Sequence, residues 1–417
     1  MSNRDLFNAS WYLVDRQVEA GHGDRPAVIG PTGTWTYAQL AAEVAACAAG
    51  LRALGVRPEE RIVLFCADRI ELLAGYLGAL RMGAVPVPVS TMYRDTELAE
   101  LLVDSRARML LTSPEFAETA RAAVTLTGGA VPLIRTDDTP GGADTEISWT
   151  RLAEAGAAES TELYPTWAES TAFWLYTSGT TGVPKAAMHR HGSVAYVAEH
   201  YGKQVLGIRP EDRCFSVAKL FFAYGLGNSA LFPLSAGATT ILEPARPTPE
   251  VVAEALAKHQ PTLFFGVPTF YAAVLAADLP ADTFASVRLC ASAGEPLPAE
   301  LYKRFTSRFG VDIIDGIGST EALHIFLSNA PGEVRPGTTG RPVPGYDLRL
   351  VDDDDQPVPI GTPGNLQLRG GSLTTGYWCR TETTRAAFLG EWLRTGDTYV
   401  VDDEGYYSCL GRSNDMI

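Results

Sequence analysis

The sequence predicts an α/β protein built from two doubly wound α/β subdomains followed by a small β-barrel subdomain. Short apolar runs alternate with helical periods up to about residue 135, and a second alternation runs from residue 249 to about 315. Strands that alternate with helices imply parallel sheets with both faces covered. From about residue 335 the texture changes to short strands separated by Pro/Gly turns, the pattern of a small barrel or sandwich. At 417 residues the chain is too long for one small core and leaves room for all three parts.

The elements follow in order. Asn8 to Glu19 places Trp11, Val14 and Val18 at helical spacing. Pro26 to Tyr37 is a hairpin, two short strands around a Pro/Gly turn, and Thr36 caps an alanine-rich helix over Tyr37–Leu54 that Gly55 stops. Strands follow at 61–66, 84–89 and 109–112, with helices over 71–82 and 95–105. Residues 136–166 show little periodicity and are expected to be a surface connection. Thr171–Tyr176 is a short buried strand, and Ala186 to Tyr201 fits a strand and then a helix. The second alternation has helices over 249–259, 268–277 and 298–308, with strands over 262–266, 289–293 and 312–315. Strands 347–351 and 364–369 belong to the last part. The expected divisions are 1–165, 166–334 and 335–417.

Composition excludes several classes. An apolar content of 46% with 20% charged residues is ordinary for a globular protein. A formal charge of −15 argues against a nucleic-acid surface, though a local field can still hold a nucleotide. The six cysteines form no C-x-x-C pair and no metal spacing, so they read as buried or free thiols in a reducing compartment. No apolar leader opens the chain, and no run approaches the ~18 residues of a membrane span. A cytoplasmic location follows as the expectation.

The chemistry concentrates after the strand at 171–176. Tyr176-Thr177-Ser178-Gly179-Thr180-Thr181-Gly182-Val183-Pro184-Lys185 packs two glycines, four hydroxyls and one lysine into ten residues. Glycine lets the backbone approach a ligand, and successive N–H groups then form an anion-binding concavity. A phosphate chain fits that inventory. The loop is not a Walker A loop, because the spacing G-x-x-x-x-G-K-S/T is absent. Ala291-Ser292-Ala293-Gly294-Glu295-Pro296 ends a buried strand in a turn, where an α/β sheet places its ligands. Asp315-Gly316-Ile317-Gly318-Ser319-Thr320-Glu321 ends the next strand, and its carboxylate and hydroxyl oxygens suit a hard cation shared with phosphate. Thr395-Gly396-Asp397 supplies a carboxylate able to accept two hydroxyl hydrogens, and Gly411-Arg412 supplies a guanidinium.

In this order and spacing, these five stretches resemble the adenylate-forming superfamily, which holds acyl- and aryl-CoA synthetases, luciferases and peptide-synthetase adenylation domains. The resemblance spans residues 176 to 412 and implies an AMP-binding domain over 1–417, with its α/β subdomains layered αβαβα. It implies that Thr177, Ser178, Gly179, Thr180, Thr181, Gly182 and Lys185 hold the phosphates of ATP. Ala293, Gly294, Glu295, Pro296, Asp315, Gly316, Ile317, Gly318, Ser319 and Thr320 would surround the nucleotide, with Asp397 and Arg412 on the ribose. Many relatives carry tyrosine where Ile317 stands, so aliphatic packing is expected there instead of aromatic stacking. Lys185, Thr177 and Glu321 are the implied catalytic groups, and Glu321 with Thr177 the implied holders of Mg²⁺.

Leu220-Phe-Phe-Ala-Tyr-Gly-Leu-Gly-Asn228 together with Glu321-Ala-Leu-His-Ile-Phe-Leu-Ser328 looks like the benzoate–CoA ligase branch. By register Phe222 matches the gate beside the substrate carboxylate. Ala223, Tyr224, Gly225 and Leu226 would line the acid pocket, closed by Val267-Pro268, Ala293, Gly318, His324 and Ile325. A flat slot of this kind suits a benzoate- or cinnamate-like ring. The implied reaction joins the acid to AMP from ATP and then passes the acyl group to coenzyme A. In the superfamily a small lid with a further lysine follows the Gly-Arg segment. The chain ends just past that segment, with Asn414 where relatives carry a hinge Asp or Lys, so a large N-terminal domain of low turnover is expected. An adenylation domain that loads a carrier protein and a non-catalytic nucleotide- and acid-binding module are the alternatives, and a homodimer is compatible with each.

Overall fold

The computed structural model describes residues 6–138, 146–178 and 184–412. The chain divides into two compact units. The first is Met1–Ala195 with Leu220–Phe222 and Leu242–Ala245; the second is Tyr196–Lys219, Ala223–Ile241 and Arg246–Ile417.

The first unit opens with the expected hairpin, β1 (Pro26–Gly30) paired antiparallel with β2 (Gly33–Thr36). Thr36 leaves the strand extended and starts the helix Tyr37–Ala53. Its hydroxyl accepts from the Gln39 N–H at 3.2 Å, while the Gln39 side chain accepts from the Thr36 N–H at 2.8 Å. This reciprocal cap satisfies two of the donors that a helix start leaves open and contributes about 1 kcal/mol.

Strands β3 (Arg61–Phe65), β4 (Val85–Pro88), β5 (Ala107–Thr112), β6 (Leu133–Arg135) and β7 (Glu146–Ser148) form a parallel sheet in the order β4-β3-β5-β6-β7. Ile62, Val63, Leu64 and Phe65 are all buried, as a strand covered on both faces requires. Helices Ile70–Arg81, Asp95–Asp104 and Ala117–Leu126 make the crossovers.

The stretch 136–166 is more than the surface connection expected of it, since it holds β7 and the helix Trp149–Ala155. A three-residue strand and a seven-residue helix are too short to display a period. They are held instead by specific bonds: Ser148 caps Arg151, and Glu146 accepts from Arg121 at 2.5 and 3.1 Å. β8 (Thr171–Ser178) and β9 (Pro184–Arg190) then form a two-stranded antiparallel ribbon that pairs Thr177 with Lys185.

The second unit carries β10 (Arg213–Ser216), β11 (Thr239–Ile241), β12 (Leu263–Gly266), β13 (Leu289–Ser292) and β14 (Ile313–Gly318), parallel in the order β11-β10-β12-β13-β14. Beyond β14 the direction reverses. β15 (Ile325–Ser328) and β16 (Arg341–Pro342) add antiparallel. Phe264 of β12 packs on Phe284, and Phe305 and Phe309 continue the cluster, with successive ring centroids 4.8–5.3 Å apart. At the incoming ends of three strands, Asp212 ties Thr262 and Arg288 together, with Oδ2 2.7 Å from the Arg288 guanidinium.

The β-rich part after residue 335 is an antiparallel sheet of β17 (Asp347–Val351), β18 (Gly364–Arg369), β19 (Phe388–Leu389), β20 (Trp392–Val401) and β21 (Tyr407–Arg412). β18 covers one edge of β20, while β19 and β21 share the other. Among the described residues no helix is long and apolar enough to cross a membrane. Of the six cysteines, four are buried thiols, Cys379 is exposed and Cys409 lies between.

Candidate active site

Three neighbouring parallel strands of the second unit end at the stretches singled out above. After β12 come Val267 and Pro268, with Val267 extended and Pro268 opening the helix Pro268–Ala276, as a residue before proline and a proline at a helix start favour. After β13 the chain turns through Ala293-Gly294-Glu295-Pro296, and Gly294 takes φ +94°, a conformation open to glycine and strained for others. β14 carries Asp315, Gly316, Ile317 and Gly318 before Ser319-Thr320-Glu321.

Asp315 is 6% exposed and accepts from the Leu297 N–H at 3.2 Å through Oδ2. Burial pushes its carboxyl from 3.8 up to about 7, against the bonds that favour the anion. The folded protein therefore holds a proton that the unfolded chain has released between pH 4 and 7. Its contribution to stability is full below the unfolded value and declines as pH rises through that window. Urea unfolding across pH 4–8 is expected to show this decline, and Asp315→Asn should flatten it; identical pH profiles for the two proteins would refute the assignment.

The turn from β14 into β15 is tightly built. Ser319 Oγ accepts from the Ala322 N–H at 3.1 Å, and Leu323 sits fully buried at φ +70°. A left-handed leucine costs about 1 kcal/mol or more, so the surroundings must fix it. They do: the Glu321 carbonyl accepts from the Thr374 N–H at 2.7 Å, and Ser372 donates to the Ala322 carbonyl at 2.7 Å. The Glu321 carboxylate accepts from the Tyr377 hydroxyl at 2.6 Å.

Asp397 and Arg412, fifteen residues apart, meet as cross-strand partners of β20 and β21. Arg412 Nη1 donates to Asp397 Oδ1 at 2.9 Å and to the Thr395 carbonyl at 3.2 Å, and the Asp397 N–H donates to Thr395 Oγ1 at 3.1 Å. Burial raises the Asp397 carboxyl above its usual range, and the Arg412 charge works against that rise.

The acid stretch gathers around His324, which is 2% exposed. The rings of Tyr201, Tyr224 and Phe232 lie 5.4, 5.4 and 4.5 Å from it. Its Nε2 is 3.2 Å from the Tyr224 carbonyl, and burial depresses its pKa to about 3, so the ring is neutral. Gly318 pairs with Ile325 across β14 and β15. Gly225, in the short helix Ala223–Leu226, lies against the carbonyls of Ala218 and Lys219. A Cβ at Gly227 would stand 2.2 Å from His324 Cδ2. Gly227→Ala is thus expected to lower stability by about 1–3 kcal/mol through overpacking. An unchanged urea midpoint would contradict that contact.

In the first unit, Thr177 faces Lys185 across the β8–β9 ladder, and the Tyr176 hydroxyl donates to Asp104 at 2.7 Å. Ser178 closes β8 through its backbone, whereas Gly179, Thr180, Thr181, Gly182 and Asn414 lie outside the described residues. Phe222, 46% exposed, packs on Phe221 at 4.5 Å.

Residues 14–378 match the family described as AMP-binding enzyme. A benzoate–CoA ligase of Thauera aromatica is 45% identical over 416 residues, 99% of this chain and 78% of that protein. The chain is an AMP-binding enzyme of the aryl-CoA ligase branch. Its fold is similar to a benzoate CoA ligase from Burkholderia xenovorans LB400, with TM-score 0.92 and 43% identity over 99% of this chain and 81% of that one. It is also similar to the anthranilate CoA ligase AuaEII in complex with anthranoyl-AMP, with TM-score 0.94 and 36% identity over 99% and 79% of the two chains.

Within the second unit of the ligase, the turns after β12, β13 and β14, the Asp397–Arg412 pair and the His324 cluster are each locally assembled. Sequence reasoning missed Tyr377 and Tyr201. An isolated tyrosine after Gly376 carries no signal of its own, and neither does a tyrosine inside an apolar stretch.

Among the described residues no three His, Cys, Asp or Glu side chains stand together as a metal site. Glu321, with one oxygen hydrogen-bonded to Tyr377, fits the lesser task of one carboxylate ligand to a cation that arrives on phosphate oxygens.

Proposed function

We propose that the ligase activates a benzoate- or cinnamate-like carboxylic acid with ATP and passes the acyl group to coenzyme A. The carboxylate oxygen attacks the α-phosphorus, forming the acyl–phosphate bond and releasing pyrophosphate. The thiolate then attacks the acyl carbonyl, forming the thioester and releasing AMP. Little of this requires covalent work from the protein, so positioning and charge neutralisation carry the rate. Lys185, Thr177 and the hydroxyls of 178–181 serve the phosphates, with Glu321 and Thr177 on the magnesium that ATP brings. The turns at 293–296 and 315–320 surround the base, and Asp397 with Arg412 takes the ribose.

The observation that carries this reading is the turn between β14 and β15. Within a few residues it presents Glu321, whose carboxylate points to cation chemistry, and His324–Ile325, which sit with Tyr224 and Gly318. One rigid turn can therefore register a nucleotide phosphate against an acid. Phe222, Ala223, Tyr224, Gly225, Val267 and Ala293 complete the acid side. A cytoplasmic setting belongs to the same reading.

Lys185→Ala tests it. Loss of one charge-assisted phosphate contact should weaken ATP by ~1.5–3 kcal/mol. Unchanged ATP affinity together with unchanged pyrophosphate release would defeat the assignment. Tyr377→Phe should leave the fold intact and raise the magnesium concentration needed for half-maximal pyrophosphate release by roughly threefold to tenfold, because the Glu321 carboxylate loses the hydroxyl that orients it. A magnesium titration identical to the parent's would remove Tyr377 from this role. Palmitate activated faster than benzoate or cinnamate would overturn the aryl preference.

A further inference from the structure

Two short stretches of the later chain belong to the first unit rather than the second, and Leu220–Phe222 is one of them. It opens the sequence proposed for the acid side. A carboxylate holds it. Asp68, between β3 and the helix Ile70–Arg81, is 4% exposed, and both of its oxygens accept from the Leu220 N–H at 3.2 Å. The turn that carries Asp68 is itself fixed, because the Ala67 N–H donates to Ser113 Oγ, just past β5, at 3.0 Å. Burying a carboxylate is unfavourable unless hydrogen bonds offset the lost water. Here part of that offset comes from one loop amide, 152 residues away in sequence.

Phe222 lies two residues past that amide. Its side chain is 46% exposed and rests on Phe221 at 4.5 Å, so core packing does not fix it. A side chain placed in this way takes its position from its backbone. That backbone is pinned at both ends within the second unit. Ahead of it, the Val217 N–H donates to the Phe265 carbonyl at 3.0 Å. Behind it, a Cβ at Gly225 would stand 2.0 Å from the Lys219 carbonyl oxygen, so only glycine lets the chain fold back this closely. Between those points the bond from Leu220 to Asp68 ties the loop to the first unit's sheet.

We propose that Asp68 is a positioning residue: its carboxylate sets the backbone of Leu220–Phe222 and so holds Phe222 beside the substrate carboxylate. The inference rests on the reading of Phe222 as the acid gate and extends it to a residue that acts through another. A functional side chain on a loop keeps its geometry only when a supporting bond fixes the loop.

Calorimetric titration of the AMP-loaded 417-residue protein with benzoate tests this, beside equilibrium dialysis with AMP and a thermal melt. Asp68→Ala should weaken benzoate roughly tenfold and leave AMP affinity within about twofold. Asp68→Asn keeps a neutral acceptor for the Leu220 N–H and should lose only about threefold, since a charge-assisted bond is roughly twice as strong. Phe222→Ala should weaken benzoate by about tenfold too, and adding Asp68→Ala to it should cost little more, because residues acting through one position are not additive. If Asp68→Ala fails to fold, the same cycle with Asp68→Asn decides, its smaller loss vanishing in the Phe222→Ala background. Losses that multiply in the double variant would overturn the inference, as would unchanged benzoate affinity in Asp68→Ala or an AMP affinity that falls as far as benzoate's. Benzoate bound by Phe222→Ala as tightly as by the parent would overturn the gate reading itself, and this inference with it.

Discussion

An Asp397→Ala variant is expected to lose AMP and ATP affinity together, by about a hundredfold. In the proposed site the carboxylate accepts from both ribose hydroxyls, a geometry for which an ionised acid has lone pairs to spare even with Arg412 bound at 2.9 Å. Hydrogen bonds to a charged group contribute ~1.5–3 kcal/mol each, so two of them amount to ~3 kcal/mol or more. The fold should survive the change. Burial already raises the Asp397 carboxyl, which means that the folded state holds this charge against a cost. Arg412, 61% exposed, keeps its hydration when its partner goes. Equilibrium dialysis with AMP and ATP, beside a thermal melt, checks both parts. Normal AMP binding combined with lost aryl-acid binding would show that the carboxylate serves another group.

Much of the scaffold is legible because local chemistry and tertiary demand agree. Thr36 announces a helix start by residue type alone, and the structure adds Gln39 to complete the cap. Ile62–Phe65 and Leu289–Ala291 are apolar throughout because both faces of their strands are covered. Direction is less legible. Ile325–Ser328 forms a strand that the sequence analysis did not assign, and the turn held by Leu323 at φ +70° and by Thr374 makes it antiparallel to β14.

The site divides in the same way. Asp397 and Arg412 are ordinary turn residues until the β20–β21 register places them opposite each other. Resemblance could single them out; composition could not. Tyr377 is illegible because its role exists only through a partner distant in sequence, Glu321.

Replacement of Asp212 by alanine is expected to cost about 3–5 kcal/mol of stability, the largest effect on folding considered for this chain. Asp212 is 4% exposed and accepts from four donors: Arg288 Nε at 3.0 Å, Arg288 Nη2 at 2.7 Å, Thr262 Oγ1 at 2.7 Å and the Arg209 N–H at 2.8 Å. It precedes β10, Thr262 precedes β12 and Arg288 precedes β13, so one carboxylate fixes where three parallel strands begin. Their far ends carry the turns proposed to hold nucleotide and acid. Burial alone would push this carboxyl up, but Arg288, Thr262 and the Arg209 N–H outweigh it and hold it below the usual 3.8. The sign is opposite to that of Asp315. A folded value below the unfolded one stabilises at pH above about 4 and is lost as pH falls through the folded value. The parent and Asp212→Ala should therefore differ most near pH 7 and converge in acid. Urea unfolding at pH 7 and pH 3 measures both ends. A loss below 1 kcal/mol at pH 7 would show that water, reaching an Arg288 side chain that is 31% exposed, replaces the carboxylate almost without cost.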